Sequence, residues 1–145
     1  MESDTRIDFY VLATAGRTSR LNFACRLAEK AYALKHRVYA HTATDEDARE
    51  LDELLWTFKQ GSFIPHQLLS ESADERTPVR IGTPDCADQS GELLINLATD
   101  MPSFSDKFSR IAEIVDASEA AKDAGRERFR QYRAMGFAPV THTID

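Results

Sequence analysis

The chain has 145 residues, of which 42% are hydrophobic and 29% charged, as is typical of a globular domain that buries a core without disulfides or metal ions. Its formal net charge of −6 argues against nonspecific binding of nucleic acid by the whole surface, and we expect no direct DNA binding. No apolar run approaches the roughly 18 residues needed to cross a bilayer, and the N-terminus lacks the apolar segment of a secretory signal. We therefore expect a cytoplasmic protein without membrane contact.

The first half of the chain predicts alternating strands and helices. Residues 6–12 form a short apolar run rich in β-forming residues, which is typical of a buried strand. A helical apolar stripe follows as far as about Lys35, and residues 37–41 predict a second strand. Thr44 then provides an N-cap hydroxyl, followed by acids in the first turn, for a helix that runs to about Phe58.

The second half adds further strands and one long helix. In chain order we predict a connecting segment at 60–66, strands at 79–82 and 92–97, a helical turn at 104–108, a strand at 110–116, a helix from the N-cap Ser118 to about Gly136, and an edge strand at 137–143. The pattern of residues 110–116 is also consistent with a helix. Because strands and helices alternate at the start, we predict a single α/β domain over residues 1–145, with an open, mostly parallel sheet flanked by helices.

The loop after the first strand is the usual phosphate-binding position of such folds, and here it lacks the motif. Residues 13–19 contain one glycine, Gly16, where a dinucleotide fingerprint needs three, and no Gly-Lys-Ser/Thr sequence follows. The predicted fold is therefore Rossmann-like without a phosphate-binding motif. Two interpretations stay open: a loop leading into a helix capped by Thr18 or Ser19, or a small-molecule or nucleotide site after Leu12.

No pattern of nucleophiles or metal ligands predicts an enzyme. The histidines His36, His41, His66 and His142 have no zinc-ligand spacing, and the two cysteines form no Cys-x-x-Cys pair. A Gly-x-Ser-x-Gly nucleophile motif is also absent from the sequence. We expect no catalytic residues, no cofactor and no bound metal.

Trp56 is the first candidate for a partner contact. If the apolar stripe of its helix is centred near Leu51, Trp56 lies about 140° from that centre, on the opposite face. An exposed tryptophan is a common interface anchor, and Phe63 and Ile64 would extend the same apolar surface. The alternatives are that residues 61–68 fold over the indole ring or that the helix ends before it.

The last predicted helix carries a basic face on an acidic protein. Residues 122–133 contain five basic and two acidic residues, a local charge of +3, which leaves −9 for the rest of the chain. On a helical wheel, an arc of about 100° holds four cations and one aromatic ring: Lys122, Arg126, Phe129, Arg130 and Arg133. The side expected to pack on the core holds Ala121, Ala124, Arg128, Tyr132 and Met135.

Such an arc is suited to an acidic peptide that carries an apolar tip. Arginine forks bind carboxylates, and the ring supplies an apolar contact. An ordinary solvated face of an amphipathic helix is equally consistent with the pattern. Direct binding of single-stranded DNA by this helix would need more stacking rings than one phenylalanine.

Three segments carry patterns that are specific in combination. They are Asp8-Phe-Tyr-Val-Leu12, then Leu51-Asp-Glu-Leu-Leu-Trp56 with Ser62-Phe-Ile-Pro-His66-Gln-Leu, and finally Arg126-Glu-Arg-Phe-Arg-Gln-Tyr-Arg133-Ala-Met-Gly136-Phe. Together they resemble the chi subunit family of the bacterial DNA polymerase III clamp-loader complex. The likeness covers nearly the whole chain.

The resemblance implies a non-catalytic adaptor. Proteins of this family bind the psi subunit, which connects them to the clamp loader, and the acidic, phenylalanine-ended C-terminal tail of single-stranded DNA-binding protein. The family's tail-binding positions fall on Lys122, Arg126, Phe129 and Arg130, and its psi-contacting aromatics fall on Trp56 and Phe63. Some members also pair with an iron–sulfur helicase through the second surface, in competition with psi.

Two positions depart from the family pattern. Where the best-known relatives have Tyr and Lys, this chain has Phe129 and Arg130. The resemblance then implies that the ring is kept without the hydrogen bond of its hydroxyl. Arginine in place of lysine keeps the charge and adds a planar fork.

Overall fold

The computed structural model describes residues 5–61, 63–71 and 74–144, and its centre is a seven-stranded β-sheet. The elements are β1 (Arg6–Leu12), α1 (Arg17–Ala33), β2 (Val38–His41), α2 (Asp45–Thr57), β3 (His66–Leu68), β4 (Val79–Gly82), β5 (Gly91–Asn96), a 3-10 turn (Ser105–Lys107), β6 (Phe108–Val115), α3 (Glu119–Ala134) and β7 (Val140–Ile144). The strand order is β3-β4-β2-β5-β6-β1-β7, and all pairings in the described ranges are parallel. None of the described helices is long and apolar enough to cross a membrane.

The predicted α/β fold with an open parallel sheet is confirmed. Residues 110–115 belong to a strand, β6, rather than to a helix, and Asp116 follows it. Strand β3 was missed, since it lies at the end of the predicted connecting segment. It has three residues and begins with His66 and Gln67, so no apolar run indicates it, and only its pairing with β4 makes it a strand.

The predicted start of α1 is wrong. The helix begins at Arg17, and its N-cap is Gly16, with a φ of 110° and no side-chain capping bond. Neither Thr18 nor Ser19 is the cap, because both already lie inside the helix. Glycine adopts this positive φ without steric cost, so it makes the turn from β1 into α1.

Helices cover both faces of the sheet. Helices α1 and α2 pack on one face through small and aliphatic side chains, including Ala24, Leu51 and Leu55. On the other face, α3 packs through Tyr132 against a cluster of rings that includes Phe108. Because successive strand residues point to opposite faces, each central strand contributes alternately to the two layers.

Glu113, in the middle of β6, is a fully buried carboxylate with partners on α3 and β5. Its Oε1 accepts a hydrogen bond from Arg128 Nε at 2.7 Å, and its Oε2 accepts one from the Tyr132 hydroxyl at 2.7 Å. Asn96 Nδ2 lies 3.1 Å from both carboxylate oxygens, and Arg128 Nη1 donates to the Thr99 carbonyl at 2.7 Å. A buried charge needs such complete pairing, so the network holds α3 on the sheet in one rotation.

This network accounts for the side of α3 that faces the sheet. Arg128 is buried, as expected from its place on the wheel. The expectation that Met135 packs on the core is wrong, because its side chain is 54% exposed. Met135 is the C-cap residue and lies beyond the last turn that packs on the sheet.

Replacing Arg128 with methionine should destabilise the protein by about 3–5 kcal/mol, because Glu113 would remain buried without its cation. Urea unfolding measures the change. Arg133→Met, an exposed position on the same helix, is the control and should shift the free energy of unfolding by less than about 0.5 kcal/mol. Equal effects of the two substitutions would contradict a stabilising role for the network.

His41 should make the stability depend on pH. Burial lowers the pKa of His41 from 6.5 to about 4, and its Nδ1 lies 2.7 Å from the Tyr39 hydroxyl. Between these two pKa values the unfolded chain binds a proton that the folded protein does not, so stability falls as the pH drops from 6.5 towards 4. The full loss is about 3 kcal/mol.

His41→Asn keeps a hydrogen-bonding amide near the position of Nδ1, and it does not titrate. Urea unfolding of both proteins at pH 7 and pH 4.5 should therefore show a smaller acid-induced loss of stability for the variant. Equal losses in the two proteins would exclude His41 as a source of the pH dependence.

Candidate functional site

Helix α3 has a good N-cap and presents its basic residues to solvent. Ser118 Oγ accepts a hydrogen bond from the Ala121 amide at 3.2 Å, and Glu119 lies in the first turn, where a negative charge stabilises a helix. Because Arg128 and Tyr132 face the sheet, the cationic arc faces outward. Within that arc Arg126, Arg130 and Arg133 are exposed, whereas Lys122 and Phe129 are half-buried.

A groove of about 580 Å³ opens between α3 and the strands near the β7 edge of the sheet. Its lining residues are Phe9, Val11, Val115, Lys122, Gly125, Arg126, Phe129, Arg130 and Thr141. Strands β1 and β6 supply the apolar side chains of Phe9, Val11 and Val115, and α3 supplies the Phe129 ring and three cations. The structure thus brings together four of the five predicted residues of the arc, while Arg133 is not among the lining residues.

Two residues of α3 shape this groove. The Phe129 ring centroid lies 5.2 Å from that of Phe9, so the ring packs against the strand instead of extending into solvent. Gly125 allows α3 to approach β6 closely, since a Cβ at this position would lie 2.9 Å from Val115 Cγ2. A glycine inside a helix lowers stability relative to alanine. Gly125 within the predicted helix was therefore an indication of close packing, which the predictions left out.

The groove cations differ in their local partners. Arg126 Nη1 lies 2.7 Å from Asp123 Oδ1, and Arg130 Nε lies 3.7 Å from Glu127 Oε2; all four side chains are largely exposed. Lys122 has no ion pair with any residue that the structure describes. Exposed pairs of this kind are weak in water, so the arginines can exchange these carboxylates for those of a ligand.

A second candidate surface lies on α2 and the segment before β3. Trp56 is 60% exposed and Phe63 is 79% exposed, which confirms the predicted exposure of the tryptophan. The expectation that Ile64 extends this surface is wrong, because Ile64 is only 3% exposed and belongs to the core under α2. Neighbouring side chains of an extended segment point to opposite sides, so when the Phe63 side chain points to solvent, the Ile64 side chain points into the core.

The indole ring of Trp56 rests on a buried imidazole. The ring centroids of Trp56 and His66 are 4.6 Å apart, and the His66 side chain is inaccessible to solvent. The segment containing His66 therefore packs against the indole ring without covering it. No site role was predicted for His66.

The two surfaces lie far apart on the sheet. Helix α2 contacts β3 and β4 at one edge, whereas the groove includes residues of β1 and β7 at the other. They also lie on opposite faces, because α2 and α3 cover different sides of the sheet. The two surfaces therefore do not overlap.

The phosphate-binding position of parallel α/β folds is occupied by a carboxylate of the protein itself. Asp116 follows β6 and accepts a hydrogen bond from the Ser118 amide at 2.8 Å, with Arg20 Nε 2.9 Å away. Burial by itself would raise the pKa of Asp116, but hydrogen bonds from Ser118 and the Gly16 backbone, together with the Arg20 charge, lower it. An ionised carboxylate at the start of α1 repels a phosphate.

The described residues contain no group of three or more His, Cys, Asp or Glu side chains that could hold a metal ion. The histidines serve separate contacts. His41 bonds Tyr39 on β2, and His142 Nε2 lies 2.8 Å from Asp8 Oδ1 on β1.

The fold and the two surfaces define a parallel α/β protein whose candidate sites are suited to binding other proteins. Solved structures share this fold. T4 UvsW matches 99% of the chain with a TM-score of 0.71 at 8% identity, and S. cerevisiae Dbp5 bound to RNA and ADP BeF3 matches 98% with a TM-score of 0.68 at 10% identity. The chain spans 42% of each of those chains, and the likeness shows the fold alone.

Sequence comparison shows the family. Residues 5–140 match the family described as DNA polymerase III chi subunit, HolC. The DNA polymerase III subunit chi of Pseudomonas aeruginosa is 42% identical over 140 residues, covering 97% of both chains. That of Escherichia coli is 29% identical over 144 residues, covering 99% of this chain and 93% of the relative. The chain belongs to the chi subunit family, accessory subunits of the replicative DNA polymerase III.

Proposed function

We propose that this protein is a non-catalytic adaptor that connects the clamp loader, through the psi subunit, with the acidic C-terminal tail of single-stranded DNA-binding protein. The groove beside α3 carries this proposal, because it combines apolar strand side chains with three cations of one helix. The protein would act in the cytoplasm without a metal or cofactor.

The groove suits a tail in which carboxylates precede a terminal phenylalanine. Phe9, Val11 and Val115 offer apolar contacts to a phenyl ring, whose burial is favourable by about 25 cal/mol per Å² of apolar surface. Lys122 and Arg126 line the same groove and would bind the carboxylates of the tail. Charge alone would accept any acidic peptide, whereas the apolar contacts select one with a terminal ring.

The two departures from the family pattern are compatible with this role. Phe129 contributes its ring to the groove through the contact with Phe9, so the missing hydroxyl removes one hydrogen bond and leaves the shape unchanged. Arg130 keeps the positive charge, and its exposed side chain can offer a fork to a carboxylate. Arg133, outside the groove lining, would attract the tail through its charge.

The surface formed by Trp56 and Phe63 is the proposed psi site. Large exposed aromatic side chains are common anchors of protein interfaces, and these two lie on α2 and on the segment that leads into β3. Ile64 would contribute indirectly, by anchoring the Phe63 segment in the core. An iron–sulfur helicase that used this surface would compete with psi.

Two observations argue against the alternative of a nucleotide site after Leu12. Asp116 supplies a negative charge where a phosphate would bind, and the sequence there has no phosphate motif. The absence of a thermal shift with any nucleotide would agree with this conclusion.

Arg126→Ala should weaken binding of an acidic, phenylalanine-ended tail peptide by about tenfold at low salt, because a charged hydrogen bond contributes roughly 1.5 kcal/mol or more. Fluorescence anisotropy of a labelled peptide measures the affinity. Removing the terminal phenylalanine should weaken binding similarly, and added salt should weaken it through screening.

Arg26→Ala is the matched control. Arg26 is an exposed arginine on α1, on the other face of the sheet, so its loss changes the net charge equally without touching the groove. Equal weakening by both substitutions would indicate a general charge effect. If the Arg126→Ala protein bound the tail peptide with wild-type affinity at low salt, the tail would bind outside this groove.

Trp56→Ala should abolish association with psi, because it removes the largest apolar contact of that surface, and should leave tail binding intact. Co-purification with psi and tail-peptide anisotropy on the same preparation measure the two activities. Met135→Ala, an exposed apolar position on α3, should affect neither. Loss of both activities in the Trp56 variant would indicate misfolding.

A further inference from the structure

We infer that His66 is a positioning residue that holds Trp56 and Phe63 together as one binding surface. The inference rests on the proposed function of that surface as the psi site. The two aromatic residues belong to different parts of the chain, one to α2 and the other to a segment without regular structure. Something must therefore fix their relative position, and His66 contacts both parts.

His66 connects three parts of the protein. Its backbone belongs to β3 and pairs with β4 opposite Val79. Its Nδ1 lies 2.7 Å from the carbonyl oxygen of Ile64, and its Nε2 lies 3.1 Å from the carbonyl oxygen of Asp52 on α2. The side chain is completely buried, so water does not compete for these bonds.

Both contacts place the aromatic residues. Ile64 is the residue after Phe63. The contact between His66 Nδ1 and the Ile64 carbonyl therefore restrains the backbone next to the phenyl ring. The Asp52 carbonyl lies one helical turn before Trp56, and the imidazole itself packs against the indole at 4.6 Å. One side chain thus determines both where Trp56 lies and where Phe63 lies.

The hydrogen-bonding chemistry requires histidine. Carbonyl oxygens only accept hydrogen bonds, so a ring nitrogen that carries hydrogen donates to the carbonyl that it faces. The Asp52 carboxylate also lies beside the ring, with Oδ1 3.3 Å from Nε2. Glutamine in this position offers an amide donor at the end of a flexible chain and lacks the flat ring on which Trp56 rests.

A surface that is already ordered binds a partner more tightly than one that must be ordered on binding. With His66 replaced, the end of α2 and the Phe63 segment would move independently. We therefore expect weaker psi binding although no side chain of the exposed surface has changed.

The chain contains a single tryptophan, so intrinsic fluorescence reports on Trp56 alone. In His66→Gln and His66→Ala, the steady-state anisotropy of this emission should fall and the emission should shift to longer wavelength. Affinity for purified psi should fall about tenfold, the effect of losing one hydrogen-bonded contact, while tail-peptide affinity should stay unchanged.

His142→Gln is the matched control. His142 also stacks on a ring, with its centroid 5.0 Å from that of Tyr10, and also contacts a carboxylate, but it lies on β7 at the opposite edge of the sheet. The His142→Gln substitution should lower the stability of the protein without changing Trp56 emission or psi affinity.

A folded His66→Gln protein with wild-type anisotropy and psi affinity would overturn the inference, even if His66→Ala failed to fold. Equal changes in the His142 variant would overturn it as well, because they would show a general loss of stability. If wild-type protein bound no psi, the proposed function would fail, and the Trp56 anisotropy would still decide whether His66 positions the ring.

Discussion

The pairing of the buried Glu113 carboxylate with Arg128 is the interaction on which the functional surface depends. A carboxylate in the middle of a sheet is unstable unless a cation and hydrogen-bond donors reach it. Helix α3 supplies both Arg128 and Tyr132, which lie four residues apart on the same side of the helix. Once these two face the sheet, the helix has no freedom to rotate.

The orientation of α3 decides what the groove contains. With Arg128 facing inward, Lys122, Arg126, Phe129 and Arg130 line the space between the helix and the sheet. The close approach at Gly125 and Val115 keeps the helix near β6. The cations and the apolar strand side chains therefore meet at one place, which is what a ligand with both a charge and a ring requires.

The same sheet separates the two candidate surfaces. Trp56 and Phe63 are held at the β3 edge through His66, and the groove lies near the β7 edge on the other face. The proposed adaptor role would use this separation, because it requires both partners to be held at once. The position at which related folds bind phosphate is filled by Asp116.

The sequence by itself determined the succession of elements, the exposure of Trp56 and the cationic arc of α3, because helical and strand periodicities depend on neighbouring residues. The tertiary structure decided the rest. The three-residue strand β3 exists through its pairing with β4, Ile64 is buried by the core under α2, and Arg128 faces inward to a carboxylate fifteen residues away. Three apolar side chains of the groove come from β1 and β6, which become neighbours of α3 only through the strand order. Periodicity shows which way a side chain points from its own element, whereas its partner depends on contacts between residues distant in the sequence.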